Sequence, residues 1–170
     1  MSLEDELKEL AWHREGQYQA ALDSAIQEHP SNLLRQLRAY LAELADHGKL
    51  KKTYEGPRSF AKENDVVELI CEGVEFSSDS VLDFNLHLSP SQMGWRLRDF
   101  DFHLAIAKRR GQHVRIHLTA KGAYDPLRVP RCHIHVDNSE PHIPFPIINP
   151  RLTLHLVCEH IEPALGREPE

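Results

Sequence analysis

The strongest constraint on the fold is a regular alternation of apolar and polar residues in the second half of the chain. Successive side chains of a strand point to opposite faces of a sheet, so this period of two is typical of strands with one buried face. Short links between the runs predict a four-stranded antiparallel meander. The four alternating runs are Val81–Leu88, Phe100–Ile106, His113–Leu118 and Arg131–Val136.

Two details extend this predicted sheet. The run from Val66 to Ile70 is a candidate edge strand. Apolar residues fall at odd positions before Arg98–Asp99 and at even positions after it, and a bulge at that point would reconcile the two.

Helical patterns flank the alternating runs. Residues 3–28 carry apolar side chains at helical spacing, and a second helix with Leu34, Leu37, Leu41, Leu44 and Ala45 on one side ends at Gly48. Near the C-terminus, Asn149-Pro150 resembles an N-cap followed by a proline at the first helical position. Residues 151–158 also alternate as a strand would, so both structures stay open, and the cap favours the helix.

The predicted class is therefore α+β, with N-terminal helices, the four-stranded antiparallel meander and a C-terminal helix. We expect an N-terminal helical segment over residues 1–55 and a sheet with its helix over residues 56–166. Both fit into one compact domain, because 170 residues are a normal size for a single domain.

Composition and charge limit the function. The net charge is −6, which disfavours nucleic acid as a partner, although local basic patches are compatible with it. The three cysteines have no zinc-ribbon or disulfide spacing. No apolar run approaches the roughly 20 residues of a membrane span, and the acidic start is unlike a secretory signal. These features predict a cytoplasmic protein with no membrane association.

Histidines concentrate on one predicted surface. Of the 12 histidines, six lie on the polar side of the alternating runs, and every run contributes at least one. We call this surface the histidine face; its residues are Asp83, Asn85, His87, Asp101, His103, His113, Arg115, His117, Arg131, His133, His135 and Asp137.

Imidazole groups crowded on one face predict a site. Neutral imidazole binds zinc and other transition metals, and a carboxylate can complete the ligand set. The candidate metal ligands are His103, His117, His133, His135 and Asp101. Histidine with arginine also suits phosphoryl chemistry, which makes His117, His133, His135, Arg115 and Arg131 the candidate catalytic residues. An ordinary solvated sheet face and a docking surface for a partner protein are the alternatives.

Three segments resemble the ubiquitin-conjugating fold and its non-catalytic RWD and UEV relatives. Val114–Leu118 with Tyr124–Pro130 resembles the third strand and the turn after it, and Asn149–Leu154 resembles the start of the following helix. That family carries its catalytic cysteine before this helix, but the stretch from Asp137 to Asn149 contains none. The resemblance implies a non-catalytic adaptor that recognises a protein partner. Independently, Pro141, Pro144 and Pro146 predict an irregular, proline-restricted loop without a nucleophile over residues 137–149.

A shorter segment points to a different class. His133-Ile134-His135-Val136 with Glu140-Pro141 resembles the His-x-His strand of some small bacterial toxins of toxin–antitoxin pairs. This resemblance, with the histidine face, implies a metal-dependent hydrolase or nuclease as the alternative to the adaptor. Whether the chain is an enzyme stays open between the two.

Overall fold

The computed structural model describes residues 20–21, 26, 28–51, 55–107, 112–118, 131–137, 142–145 and 149–166. Most of the helix predicted over residues 3–28 lies outside these ranges. So do residues 124–130 and parts of the loop predicted over residues 137–149.

The first long helix, α1, spans Pro30–Asp46. Proline at its first position fixes a helical φ, and the His29 ring accepts a hydrogen bond from the Ser31 amide in the manner of an N-cap. Five buried residues after that proline repeat at helical spacing: Leu33, Leu34, Leu37, Leu41 and Leu44. The helix therefore presents one apolar side to the rest of the domain.

The remaining regular structure is mainly one antiparallel sheet. Its seven strands lie in sequence order, so every strand pairs with its neighbours along the chain. The strands are β1 (Arg58–Ala61), β2 (Val67–Glu75), β3 (Val81–Ser91), β4 (Gly94–Ala105), β5 (His113–Leu118), β6 (Cys132–Val136) and β7 (Ile143–Pro144).

The prediction of a four-stranded meander is therefore wrong, although the α+β class is correct. The candidate edge strand at Val66–Ile70 belongs to β2, a longer interior strand between β1 and β3. Strand β1 was missed because all four of its residues are exposed and carry no apolar face. Strand β7 was missed because it is only two residues long and contains a proline.

Two irregularities shape the sheet. His87 pairs with Asp99 and Leu88 pairs with Leu97, so Arg98 is an extra residue in β4 and the predicted bulge is confirmed. The register also shifts in β2 between Cys71 and Val74. Gly73 lies within this shift at φ +69°, a conformation that residues with a Cβ adopt at a cost.

The C-terminal segment is helical. Helix α2 spans Pro150–Leu156, continues through a π-helical turn at Val157–Ile161 and ends in the short helix α3, Glu162–Leu165. The Asn149 side chain accepts a hydrogen bond from the Arg151 amide at 2.9 Å, which confirms the predicted cap and decides for a helix. None of the helices that the structure describes is both long and apolar enough to cross a membrane.

One face of the sheet forms the core with the helices. The even-numbered residues from Leu82 to Leu88, from Phe100 to Leu104 and from Val114 to Leu118 are buried, as is Leu97 ahead of the bulge. They share a single apolar cluster with leucines of α1 and with Leu154, Val157 and Cys158. Phe102 lies inside it, 1 % exposed and stacked on Phe84 at 5.3 Å between ring centroids. The opposite side of β3, β4 and β5 is only half-buried, and this side is the histidine face.

Candidate metal centre

Strand register divides the histidine face into rows. Residues directly opposite each other in antiparallel strands point to the same side of the sheet. The prediction that His87, His103, His117, His133 and His135 share a face is thus confirmed. One row runs Asn85, Asp101, His117, His133, and the next runs Asp83, His103, Arg115, His135.

Three of the histidines meet where β5 pairs with β6. His117, His133 and His135 each offer a ring nitrogen, and these nitrogens all lie within 4.8 Å of one another. We call these three residues the histidine cluster. The ring centroids of His117 and His133 are 4.1 Å apart, and those of His117 and His135 are 5.2 Å apart.

The histidine cluster is poorly solvated. His133 is 1 % exposed and His135 is 7 % exposed. The Nε2 atom of His117 is buried and has no hydrogen-bond partner among the described residues. A buried polar atom without a partner is unfavourable, and a bound metal ion would supply one.

Electrostatics keep His117 neutral. Burial, followed by the neighbouring His133, lowers the pKa of His117 from 6.5 to about 4. At neutral pH its ring therefore carries no charge and keeps a lone pair on one nitrogen. This is the form of histidine that ligates a metal.

Asp137 orients the ring of His135. The Nδ1 atom of His135 lies 2.7 Å from the Asp137 carbonyl oxygen. A carbonyl oxygen only accepts hydrogen bonds, so Nδ1 carries the proton and Nε2 of the neutral ring keeps its lone pair. Histidine ligands of metals are commonly oriented in this way by a partner on the other ring nitrogen.

The position of Asp137 is itself held by β5. Its φ is 60°, in the left-handed region that aspartate tolerates better than most residues. Its amide donates to the His113 carbonyl at 2.7 Å, and its Oδ1 accepts from the His113 amide at 2.9 Å. These bonds aim its carbonyl at His135. Alternation alone placed Asp137 on the histidine face but gave no sign of this role.

His142 is a neighbour of the histidine cluster that the sequence analysis missed. Its ring centroid lies 4.6 Å from that of His133 and 5.3 Å from that of His135. It precedes β7, whose pairing with β6 folds the chain back over these two residues. The sequence placed His142 in a predicted loop, and the two-residue β7 shows no alternation that would have indicated its pairing with β6.

Asp101 and His103 lie near the histidine cluster but outside it. Asp101 is opposite His117, and its Oδ2 accepts a hydrogen bond from Arg115 at 2.8 Å. His103 lies one row away, and its ring centroid is 5.1 Å from that of His113. Burial, then Arg115, lowers the pKa of His103. Of the predicted metal ligands, the structure therefore brings together only the three of the histidine cluster.

The two predicted catalytic arginines differ in accessibility. Arg131 is 3 % exposed in the bend before β6. The Arg115 side chain is 39 % exposed and pairs across the strands with both His103 and His135. Arg115 is therefore the better placed of the two to meet a ligand on this face.

The cysteines are poor nucleophiles. All three are buried. Burial raises the pKa of Cys71 and of Cys132 to about 12, and it raises the pKa of Cys158 as well. A thiol in this state is protonated at neutral pH and unreactive.

His87 belongs to a separate polar group. Its Nδ1 lies 2.5 Å from Oδ1 of Asp99, and its Nε2 lies 3.2 Å from Oε1 of Glu68. Glu68 also pairs with Lys62 at 2.7 Å. Both ring nitrogens are thus engaged by carboxylates, which leaves His87 unavailable to a metal.

The histidine cluster has the ligand type and number of an open zinc site. Zn–N bonds of about 2.0–2.1 Å place tetrahedral ligand atoms about 3.3 Å apart. The nitrogens lie within 4.8 Å of one another, so small rotations of the rings would bring them to that spacing. Comparison of the chain with protein-family models, curated proteins and solved structures finds no match in any of the three.

Proposed function

We propose that this chain is a metal-dependent hydrolase that holds zinc, or a similar divalent transition metal, at His117, His133 and His135. The observation that carries the proposal is the convergence of these three ring nitrogens within 4.8 Å, from two neighbouring strands. Three protein ligands leave a fourth position open for water, as in catalytic zinc sites, whereas structural sites are closed by four.

The surroundings of the histidine cluster suit this use. Asp137 sets the proton of His135 on Nδ1, and the burial of His117 keeps it neutral. When bound at such a site, zinc lowers the pKa of its water to about 7, which supplies hydroxide for hydrolysis at neutral pH.

Metal content is the direct test. The protein is purified without a histidine tag, its zinc content is determined, and zinc binding to the chelator-treated protein is measured by calorimetry. We expect one ion per chain, loss of binding in His133→Gln, and retention in the matched control His87→Gln, which removes a histidine of the same face. Binding that is unaffected by His133→Gln would place the metal elsewhere and refute the proposed site.

Hydrolysis is tested next. Zinc-loaded protein is assayed against chromogenic phosphate and carboxylate esters, with His133→Gln and His87→Gln in parallel. Turnover that depends on zinc and on His133 supports the hydrolase. Stoichiometric zinc with no turnover on any ester would leave a metal-binding protein and contradict the enzymatic part of the proposal.

The adaptor suggested by the resemblance to the ubiquitin-conjugating fold remains a separate proposal. It rests on short sequence segments, and the four-stranded meander that accompanied it has been replaced by a seven-stranded sheet. A metal-free protein that captures one defined protein partner would favour the adaptor over the hydrolase.

A further inference from the structure

Arg115 is the charged group beside the histidine cluster whose role the metal site leaves unexplained. It lies on β5, two residues before His117 on the same face of the sheet, and directly opposite His135 of β6. A group bound to a metal in the histidine cluster would therefore lie within reach of a long arginine side chain.

Asp101 holds the guanidinium in one orientation. The Nη2 atom of Arg115 donates to Asp101 Oδ2 at 2.8 Å. Since the guanidinium is planar, this bond fixes the directions of its remaining N–H groups. Arg115 is thus preorganised, and a ligand would meet a donor set that is already in place.

The guanidinium still has donors to offer. Its Nε is buried and has no hydrogen-bond partner among the described residues, and 39 % of the side chain is exposed. A guanidinium carries five N–H donors arranged to match the oxygens of carboxylate or phosphate. An oxyanion at this point would satisfy a donor that now has no acceptor.

Charge selects the kind of oxyanion. A divalent metal and Arg115 together carry three positive charges, and Asp101 offsets one, so two remain for the ligand. Building on the metal site proposed above, we propose that the metal-bound ligand is a phosphate monoester. One phosphate oxygen binds the metal and another accepts a hydrogen bond from Arg115.

The surface next to Arg115 restricts the rest of the ligand. A shallow pocket of about 110 Å³ opens beside Asp101 and His103, the cross-strand neighbours of Arg115, and its lining also includes Glu72, Asp83 and Asn85. Carboxylates repel further phosphates, and the whole chain carries a net charge of −6. This environment favours a small ester with one phosphate and a neutral or hydrogen-bonding remainder over a nucleic acid.

The test uses cobalt(II) in place of zinc, because its visible spectrum reports both its own binding and the arrival of a ligand. Inorganic phosphate is titrated into the cobalt-loaded protein, with acetate and a single-stranded oligonucleotide as separate arms. The variants are Arg115→Gln, Arg115→Lys and the control Arg96→Gln. Arg96 is an exposed arginine near the turn between β3 and β4 and bonds to Ser89.

We expect phosphate to change the cobalt spectrum saturably in the parent and in Arg96→Gln. A charged hydrogen bond contributes about 1.5–3 kcal/mol, so Arg115→Gln is expected to weaken phosphate binding about 10- to 100-fold. Arg115→Lys keeps the charge but loses the planar fork, and its affinity is expected to lie between the two. The unchanged cobalt spectrum before phosphate is added verifies that each variant is folded and metal-bound.

The outcomes separate this proposal from the one on which it rests. Cobalt binding with no phosphate response, or with equal phosphate affinity in Arg115→Gln, overturns the role of Arg115 and leaves the metal site intact. Tighter binding of acetate or of the oligonucleotide overturns the assignment to a phosphate monoester. Failure of cobalt to bind at all overturns the metal site, and the phosphate proposal with it.

Discussion

The metal-free protein is expected to lose stability as the pH falls from 8 to 5, and His117 is expected to carry a measurable part of this loss. Burial and His133 lower the pKa of His117 from 6.5 to about 4 in the folded protein. Between these two values the unfolded chain binds the proton and the folded chain does not. Acid therefore favours unfolding: the stabilisation is complete above pH 6.5 and is lost as the pH falls towards 4.

The size of the effect follows from the same shift. One pKa unit corresponds to about 1.4 kcal/mol, so a fall from 6.5 to about 4 corresponds to about 3 kcal/mol in full. At most about 2 kcal/mol of this appears by pH 5, where the assay ends. His117 is only partly buried, and solvent screening reduces this to about 1–2 kcal/mol. For a chain of this length, that free energy lowers the melting temperature by about 2–8 °C.

The assay is thermal unfolding followed by circular dichroism at pH 8, 7, 6 and 5, with a chelator present throughout. The parent is compared with His117→Gln, which removes the titrating group, and with His47→Gln, which removes an exposed imidazole at the end of α1. This pH range stays above the usual pKa of carboxylates, so their titration contributes little.

The decisive quantity is the difference in slope. We expect the melting temperature of the parent to fall more steeply with pH than that of His117→Gln, while His47→Gln provides the baseline for the loss of an exposed histidine. Parallel curves for the parent and His117→Gln would mean that His117 takes up protons equally in both states. The half-buried, neutral His117 on which the proposed metal site depends would then be refuted.

Three further predictions concern zinc and the fold. Zinc at 100 times its dissociation constant is expected to add about 2.7 kcal/mol of stability, and neither His133→Gln nor chelator-treated parent should show the rise in melting temperature. Phe102→Ala is expected to cost about 3–5 kcal/mol in urea unfolding, whereas Phe60→Ala, at a side chain that is 44 % exposed, should cost less than about 1 kcal/mol. Gly73→Ala is expected to cost about 1 kcal/mol because of its φ of +69°, with Gly56→Ala near zero as the control, since neither added Cβ meets an atom closer than 3.9 Å.

Alternation was sufficient to predict the middle of the sheet. In β3, β4 and β5 an apolar residue recurs at every second position over most of the strand, because one face meets the helices and the other does not. Strand β6 shows the same alternation, but there His133 and His135 are buried and Val136 is 45 % exposed. The same rule located the bulge, since an inserted residue at Arg98 exchanges odd and even positions. These features depend only on which face of the sheet each residue occupies, and the order of apolar and polar residues within a single strand is enough to show it.

The edges of the sheet could not be predicted in the same way. Strand β1 is exposed at every position, so its backbone pairing with β2 has no counterpart in side-chain polarity. Strand β7 is too short to show a period. Both strands form because their backbones pair with a neighbouring strand. The spacing of apolar residues contains no information about that pairing.

Which histidines meet in the cluster depends on the register between strands. The alternation of apolar and polar residues does not determine that register. A slip of two residues between β5 and β6 would keep every histidine on the same face. Depending on its direction, the slip would place His117 opposite His135, or Arg115 opposite His133. Only the observed register puts His117 opposite His133 and Arg115 opposite His135, so that three imidazoles meet and a guanidinium lies beside them. His103 lies on the same face of the sheet, which made it a candidate ligand. It pairs with Arg115 rather than with a histidine of the cluster, and therefore lies outside the cluster. The metal affinity that we propose for this chain is accordingly expected to depend on the pairing between β5 and β6. A variant that shifts this register should lose zinc even if all three ligands remain.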